Sequence, residues 1–227
     1  MKYSIVIPLF NEEKNIVSLL KSFSNSSEPF ELILVNNGST DKTESILQKE
    51  LINYPFAKTI KVEKNLGYGH GIMKGLESAR GEYLAWTHGD LQTSPADVFK
   101  GFKLLEQNPK SLVKGNRSGR PLMDRFFTRG MSFFEFLIHG SWLHDINAQP
   151  NVFSRSFFKT FKNPPLDFCL ELYVYILAKK QGRKIIRFEV QFPPRIEGES
   201  SWDRGFKSKI FHSKIYMKNS IKLKENL

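Results

Sequence analysis

The chain has 227 residues and one cysteine, and its 34 Lys and Arg outnumber its 23 Asp and Glu to give a net charge of +11. Twenty phenylalanines within a 40% apolar composition exclude intrinsic disorder, and the unpaired Cys169 excludes a disulfide scaffold and favours a reducing compartment. No apolar run reaches the ~18–20 residues of a membrane span; the longest, Phe168 to Ala178, carries Glu171 and stops at Lys179. A single large core is expected. So is a cytoplasmic location, because Met1 to Leu9 is too short for a secretory leader and runs into Asn11, Glu12 and Glu13. The basic balance points to phosphates or acidic lipid head groups as partners. Nucleic acid would rest on charge alone and is not expected.

In chain order, Tyr3–Leu9 is a β-rich run ending after a proline, and Asn11 opens a helical stretch with Ile16, Leu19, Leu20 and Phe23 on one face. Glu31–Val35 reads as a buried strand, Asn36 to Thr40 as a turn, and Asp41 with Glu44 as a helix start. Lys58–Val62 is a weaker strand, Gly67 to Arg80 a helix and Glu82–Thr87 a strand. Ser94-Pro95 caps a helix running to Gln107, and Ser111–Gly115 is a strand. Strands separated by helical patterns give βαβ units and a mostly parallel sheet.

The second half is less regular. Leu122–His139 reads as a long aromatic-rich helix, Asn151–Ser154 as a strand, Asp167 to Lys180 as a helix closed by Gly182, and Lys184–Phe192 as a strand. The tail from Asp203 is basic and helical, with Phe206, Ile210, Met217 and Ile221 on one face and Lys207, Lys214, Lys218 and Lys222 beside them. That pattern suits a helix lying on an anionic bilayer, and equally one packed on the domain with its lysines in water.

In an open α/β sheet, ligands sit beyond the carboxyl ends of the strands. Pro8 to Glu12, Asn36 to Ser39, Asn65 to Gly67 and His88 to Gln92 all fall there. Each alone reads as turn chemistry; their coincidence at one sheet edge points to a nucleotide site.

The motifs VIPLFNEE (Val6–Glu13), VNNGSTD (Val35–Asp41), Asn65–Gln92 and RIEGESSW (Arg195–Trp202) resemble, in order, those of family 2 glycosyltransferases with the GT-A fold. Within that family the chain is most similar to the polyprenyl-phosphate sugar synthases. The resemblance implies a single Rossmann-like, mostly parallel sheet flanked by helices over residues 1–202, with 203–227 as a basic tail. It implies an inverting transfer of a sugar from a UDP- or GDP-linked donor to an acceptor, most simply a polyprenyl phosphate. Pro8, Phe10, Asn11 and Glu12 would line the base and ribose. Asn37, where the family has an aspartate, would face the base, and Asn36 replaces another. Lys74 lies near a donor-phosphate position or is a solvated helix lysine.

The family's Asp-x-Asp with a following Gln is here His88-Gly89-Asp90-Leu91-Gln92. Two carboxylates and an amide oxygen ordinarily hold Mg²⁺ or Mn²⁺ against the diphosphate. With His88, Asp90 and Gln92 as the donor set, three outcomes stand open: an Mn²⁺-preferring site, a protonated His88 touching the diphosphate directly, or a non-catalytic nucleotide-sugar binder. Arg117, Arg120, Arg125 and Arg129 form a basic cluster, and 3.6-residue spacing puts Arg125, Arg129 and Ser132 on one helix face. In the resembling synthases, arginines and a serine here hold the acceptor phosphate. These arginines sit among Phe126, Phe127, Phe133 and Phe134, as expected for a helix that is partly buried or faces a membrane. The resemblance makes Arg195 a diphosphate ligand on a loop over the donor.

Glu171, in an otherwise apolar helix, is a candidate catalytic carboxylate or one member of a buried ion pair with an arginine. A glycan acceptor, as in envelope polysaccharide assembly, would need Glu171 or Asp145 as general base; a phosphate acceptor needs none. Without a spanning segment, a lipid acceptor would be met peripherally, at the cytoplasmic membrane face or through a membrane-protein partner.

Overall fold

The computed structural model describes residues 1–119, 122–193 and 206–226, with the side chains of 124, 206–212 and 225–226 set aside. Strands β1 (Tyr3–Leu9), β2 (Phe30–Asn37), β3 (Ala57–Val62), β4 (Tyr83–Trp86), β5 (Leu112–Ser118), β6 (Asn151–Ser154) and β7 (Ile185–Gln191) form one sheet in the order β3-β2-β1-β4-β6-β5-β7. The helices are α1 (Ile16–Phe23), α2 (Thr43–Glu50), α3 (Tyr68–Ser78), α4 (Pro95–Gln107), α5 (Leu122–His139), α6 (Arg155–Phe158), α7 (Cys169–Lys180) and α8 (Phe206–Asn226). All neighbouring strands are parallel except β6, which runs antiparallel to both β4 and β5.

Helices cover both faces of the sheet, so β1 and β2 are apolar on both sides. Strand alternation sends Ile5, Ile7, Leu32 and Leu34 into one core with α1 and α4, and Val6, Ile33 and Val35 into the other with α3 and α7. Helix α3 lies close on β1: a Cβ at Gly75 would stand 2.2 Å from Val6 Cγ1. That approach carries the start of α3 to the carboxyl edge of the sheet.

Two elements differ from the sequence expectation. Helix α1 starts at Ile16 rather than Asn11, because Asn11 takes φ +56° and a turn closes from Asn15 N to Glu12 O at 2.9 Å. The buried face of α8 is Tyr216, Ser220 and Leu223, so Ile221 of the expected apolar stripe lies exposed beside Lys222. Phe206 and Ile210 of that stripe lie outside the described side chains.

Helix α5 is amphipathic in the unusual sense. Leu122, Phe126 and Leu137 are 79%, 72% and 63% exposed, and Met123, Phe133 and Phe136 extend the same outward stripe. Its inward side carries Met131 against the core together with buried polar groups. Ser220 Oγ of α8 donates to buried Glu135 Oε2 at 2.6 Å and lies 3.0 Å from His139 Nε2. Among the described residues no helix is long and apolar enough to cross a membrane.

Candidate active site

The loops after β1 and β2 are built around each other. Asn11 N donates to Ser39 Oγ at 3.0 Å, Thr40 N to Asn11 Oδ1 at 2.8 Å, and Glu12 N to Thr43 Oγ1 at 3.0 Å. Gly38 closes the second loop at φ +73°, where a Cβ would stand 2.6 Å from Asn65 N. With the polar groups so engaged, the Phe10 ring stays exposed at the strand end beside half-buried Pro8.

The two asparagines at the end of β2 have distinct tasks. Asn36 Nδ2 donates to Glu44 Oε2 at 2.5 Å, and its Oδ1 accepts from Ser39 N at 3.1 Å. Buried Asn37 donates through Nδ2 to the Gly67 carbonyl at 3.0 Å, while its Oδ1 has no hydrogen-bond partner among the described residues. A carboxylate at 37 could not donate to that carbonyl. The amide therefore suits the local backbone and keeps one acceptor unmatched at the sheet edge.

Beyond β4, Leu91 takes φ +61° and Gln92 N donates to Asp90 Oδ1 at 3.1 Å. Gln92 Nε2 donates to the Pro193 carbonyl at 2.8 Å. His88 stands edge-on to Phe192 with centroids 6.2 Å apart, and the Arg117 guanidinium lies 5.2 Å from the other partner of that contact, the same Phe192 ring. The exit of β7 thus joins the Asp90 loop to the end of β5. A Cβ at Gly89 would stand 2.5 Å from Leu9 Cδ2, which ties this loop to β1.

Among the described residues no three His, Cys, Asp or Glu side chains gather around one point. The local donors are the Asp90 carboxylate, the His88 imidazole and the oxygen end of the Gln92 amide, whose nitrogen is held by Pro193. This set fits a divalent transition-metal ion that takes its remaining ligands from substrate phosphates.

Arg117 grips Asp145 through its backbone N–H, 3.0 Å from Oδ2, and its guanidinium, with Nε 3.0 Å from Oδ1. Asp145 is buried at φ +42°. The neighbouring His144, not singled out by sequence, has its pKa lowered by burial and then by Arg187, with further contributions from Arg129 and Arg117. Arg187, Arg117 and Arg129 thus all act electrostatically on His144. Arg125 and Arg129 are exposed on α5, but Ser132 is buried and its hydroxyl donates to Thr128 O at 3.0 Å. Lys74 is exposed on α3 and paired with Glu77 at 3.1 Å. Arg120 and Arg195 lie outside the described residues.

Glu171, read from sequence as a catalytic carboxylate or as the buried partner of an arginine, occupies the centre of a buried network whose cation is Lys114 rather than an arginine. Its Oε1 accepts from Trp86 Nε1 at 2.7 Å, Gln149 Nε2 at 3.0 Å and Tyr68 OH at 3.3 Å. Its Oε2 accepts from Asn151 Nδ2 at 2.7 Å and Lys114 Nζ at 3.3 Å. Lys114 is fully buried, which pulls its pKa down from 10.5 to about 8 against the opposing pull of Glu171. Tyr68 is pushed well above the ordinary phenol range by burial, then by Glu171, with Asp90 contributing. The legible signal was a lysine amid the apolar strand Leu112–Gly115; its partners come from four other segments.

Among curated proteins, the chain is 29% identical over 172 residues to a dodecaprenyl-phosphate galacturonate synthase of Rhizobium johnstonii, covering 71% of this chain and 50% of that protein. It is 27% identical over 215 residues to the dolichyl-phosphate beta-glucosyltransferase ALG5A of Trichomonas vaginalis, covering 83% of this chain and 65% of that one. The chain thus spans half to two thirds of the length of these relatives. Among solved structures, glucosyl-3-phosphoglycerate synthase from Mycobacterium tuberculosis, in complex with Mn²⁺, UDP and glucosyl-3-phosphoglycerate, superposes with TM-score 0.69 at 20% identity over 95% of this chain and 79% of that one. The fold is GT-A. The model of the family described as glycosyl transferase family 2 matches residues 4–166, and the chain belongs to that family.

Proposed function

We propose that the protein is an inverting glycosyltransferase that moves a sugar from a nucleoside-diphosphate donor to a polyprenyl phosphate at a membrane surface. The observation that carries the acceptor choice is the state of the two candidate bases. Both Asp145 oxygens are taken up by Arg117, and both Glu171 oxygens by buried donors. A phosphate acceptor is already an anion and needs no base, whereas a glycan hydroxyl does. The relatives named for polyprenyl-phosphate substrates support the same reading.

In this reading the base stacks on Phe10 and meets Asn37 Oδ1. Asp90, His88 and Gln92 hold a divalent cation, which when bound neutralises charge on the departing diphosphate. Imidazole in place of carboxylate favours Mn²⁺ over Mg²⁺. Arg117, Arg125 and Arg129 hold the acceptor phosphate. Its oxygen attacks the anomeric carbon as the bond to the diphosphate oxygen breaks on the opposite face, which inverts that centre. Arg195 reaches the leaving diphosphate, a task suited to a guanidinium fork.

The outward stripe of α5 supports the membrane part. Six large apolar side chains on one exposed helix face suit the boundary between head groups and acyl chains, and Arg125 and Arg129 beside them suit anionic lipid. The location proposed is the cytoplasmic membrane face, held peripherally.

Calorimetric titration with UDP, GDP and their sugar conjugates, with and without Mn²⁺, tests the donor half. Incorporation of labelled sugar into a polyprenyl phosphate tests the acceptor half. Mn²⁺-dependent binding of one nucleotide followed by transfer is the expected result. Binding without transfer or hydrolysis would make the chain a nucleotide-sugar binder, and transfer to a glycan alone would overturn the acceptor assignment.

A further inference from the structure

Glu171 accepts hydrogen bonds from five side chains on α3, β4, β5, β6 and the segment leading into β6. Two of its partners stand directly behind the donor loops. Tyr68 follows Gly67, whose carbonyl receives Asn37. Trp86 ends the strand that runs into His88 and Asp90. A third, Lys114, lies on the strand that ends in Arg117 and is fully buried, with Glu171 as its ion-pair partner among the described residues.

We infer that Glu171, with Lys114 as its buried counter-ion, is a positioning residue. It fixes the Gly67 turn and the His88–Asp90 loop, through Tyr68 and Trp86, against the strand that carries Arg117. The inference rests on the nucleotide-sugar reading of those loops, and it assigns Glu171 a task other than proton transfer. A carboxylate is suited to it: two oxygens offer about four acceptor sites, whereas an amide has one oxygen and would turn its NH₂ toward other donors. Charge adds to this, since removing one member of a buried pair leaves the other uncompensated. Donor and acceptor segments belong to different parts of the chain, and Glu171 is where their buried side chains meet. A displacement of about 1 Å between reacting groups is enough to cost roughly a hundredfold in rate.

The test compares the wild-type protein with Glu171→Gln and the milder Tyr68→Phe, which deletes one hydroxyl. Three quantities are read: melting temperature, affinity for UDP and GDP in Mn²⁺, and hydrogen exchange at the amides of Gly67, His70 and Gln92. These amides are bonded to Asn65 Oδ1, Leu166 O and Asp90 Oδ1. Positioning predicts exchange at these amides about tenfold faster or more, with β1 and β2 unchanged, because the opening is local. It also predicts a matching loss of nucleotide affinity. Exchange unchanged in both variants overturns the inference, as does a uniform rise in proportion to a fall in melting temperature. If Glu171→Gln does not fold, Tyr68→Phe alone decides on the same criteria. If wild type binds neither nucleotide but the loops still loosen locally, the positioning role stands and the nucleotide reading fails.

Discussion

Gln92 and Pro193 lie 101 positions apart and are joined by a 2.8 Å hydrogen bond from the side-chain amide to the backbone carbonyl. The bond binds the loop after β4 to the exit of β7. Gln92→Glu keeps an oxygen for a cation but replaces the donor with a carboxylate facing a carbonyl. We expect Gln92→Glu to weaken nucleotide binding about as much as Gln92→Ala, by roughly tenfold, the loss of a hydrogen bond worth ~1 kcal/mol or more. Titration of both variants with Mn²⁺ and nucleotide checks this; tighter binding by Gln92→Glu would make the oxygen the dominant end.

His88 sets a second expectation. His88→Asp restores a pair of carboxylates and shifts metal preference toward Mg²⁺, which takes oxygen ligands. The ratio of nucleotide affinities in Mn²⁺ and Mg²⁺ is the readout, and the wild type should favour Mn²⁺ by the larger factor. Equal ratios in both proteins would remove His88 from the donor set.

Lys114 gives a pH dependence. Its folded-state pKa is lowered from 10.5 to about 8 by burial. Below pH 8 the amine is protonated in both states and the cost of burying its charge is fully present. Between about 8 and 10.5 the unfolded chain holds a proton that the folded chain lacks, so this residue's contribution to stability rises with pH, by about 3 kcal/mol in total. From pH 7 to 10 the urea midpoint of wild type should rise relative to that of Lys114→Met; a difference that stays constant with pH would contradict it.

Asp145 is the counter-ion of Arg117 at a position only 3% exposed. Asp145→Ala should cost about 3–5 kcal/mol, the usual price of leaving a buried charge unpaired, and lower the melting point by roughly 10 °C. Calorimetry decides, and a shift under about 2 °C would mean water replaces the carboxylate at no cost.

On α5, Phe126→Asp and Phe133→Asp should leave the melting temperature within about 2 °C of wild type, since exposed sites carry little stability. Co-sedimentation with anionic phosphatidylglycerol vesicles should fall by at least roughly fivefold, as expected when ~1 kcal/mol of apolar burial is lost. Undiminished sedimentation would assign the binding to the lysines of α8.

Much of the scaffold was legible because its signals are local. β1 and β2 are short apolar runs, Ser94 caps α4 with its Oγ 3.2 Å from Ala96 N, and α5 and β6 have the bounds read from periodicity. The direction of β6 was not legible, since four buried residues look alike read either way. Nor was the inward face of α8: Tyr216, Ser220 and Leu223 follow helical spacing as well as Met217 and Ile221 do, and only the partner helices choose between them. At the site, the motif loops were visible as strings of residue types. The network around Glu171 was not, because Trp86, Lys114, Gln149 and Asn151 become neighbours only once the sheet is assembled.

The polar bonds beneath α5 have a consequence for how the protein lives in water. Rolling the helix by half a turn would hide Phe126, Phe133 and Leu137, but it would strip Glu135 and Ser220 of each other inside the domain. The greasy side is therefore locked outward from the moment α8 docks. Under the membrane-surface reading proposed above, that face is ready for a bilayer as soon as the helix pair forms, with no rearrangement of the fold required.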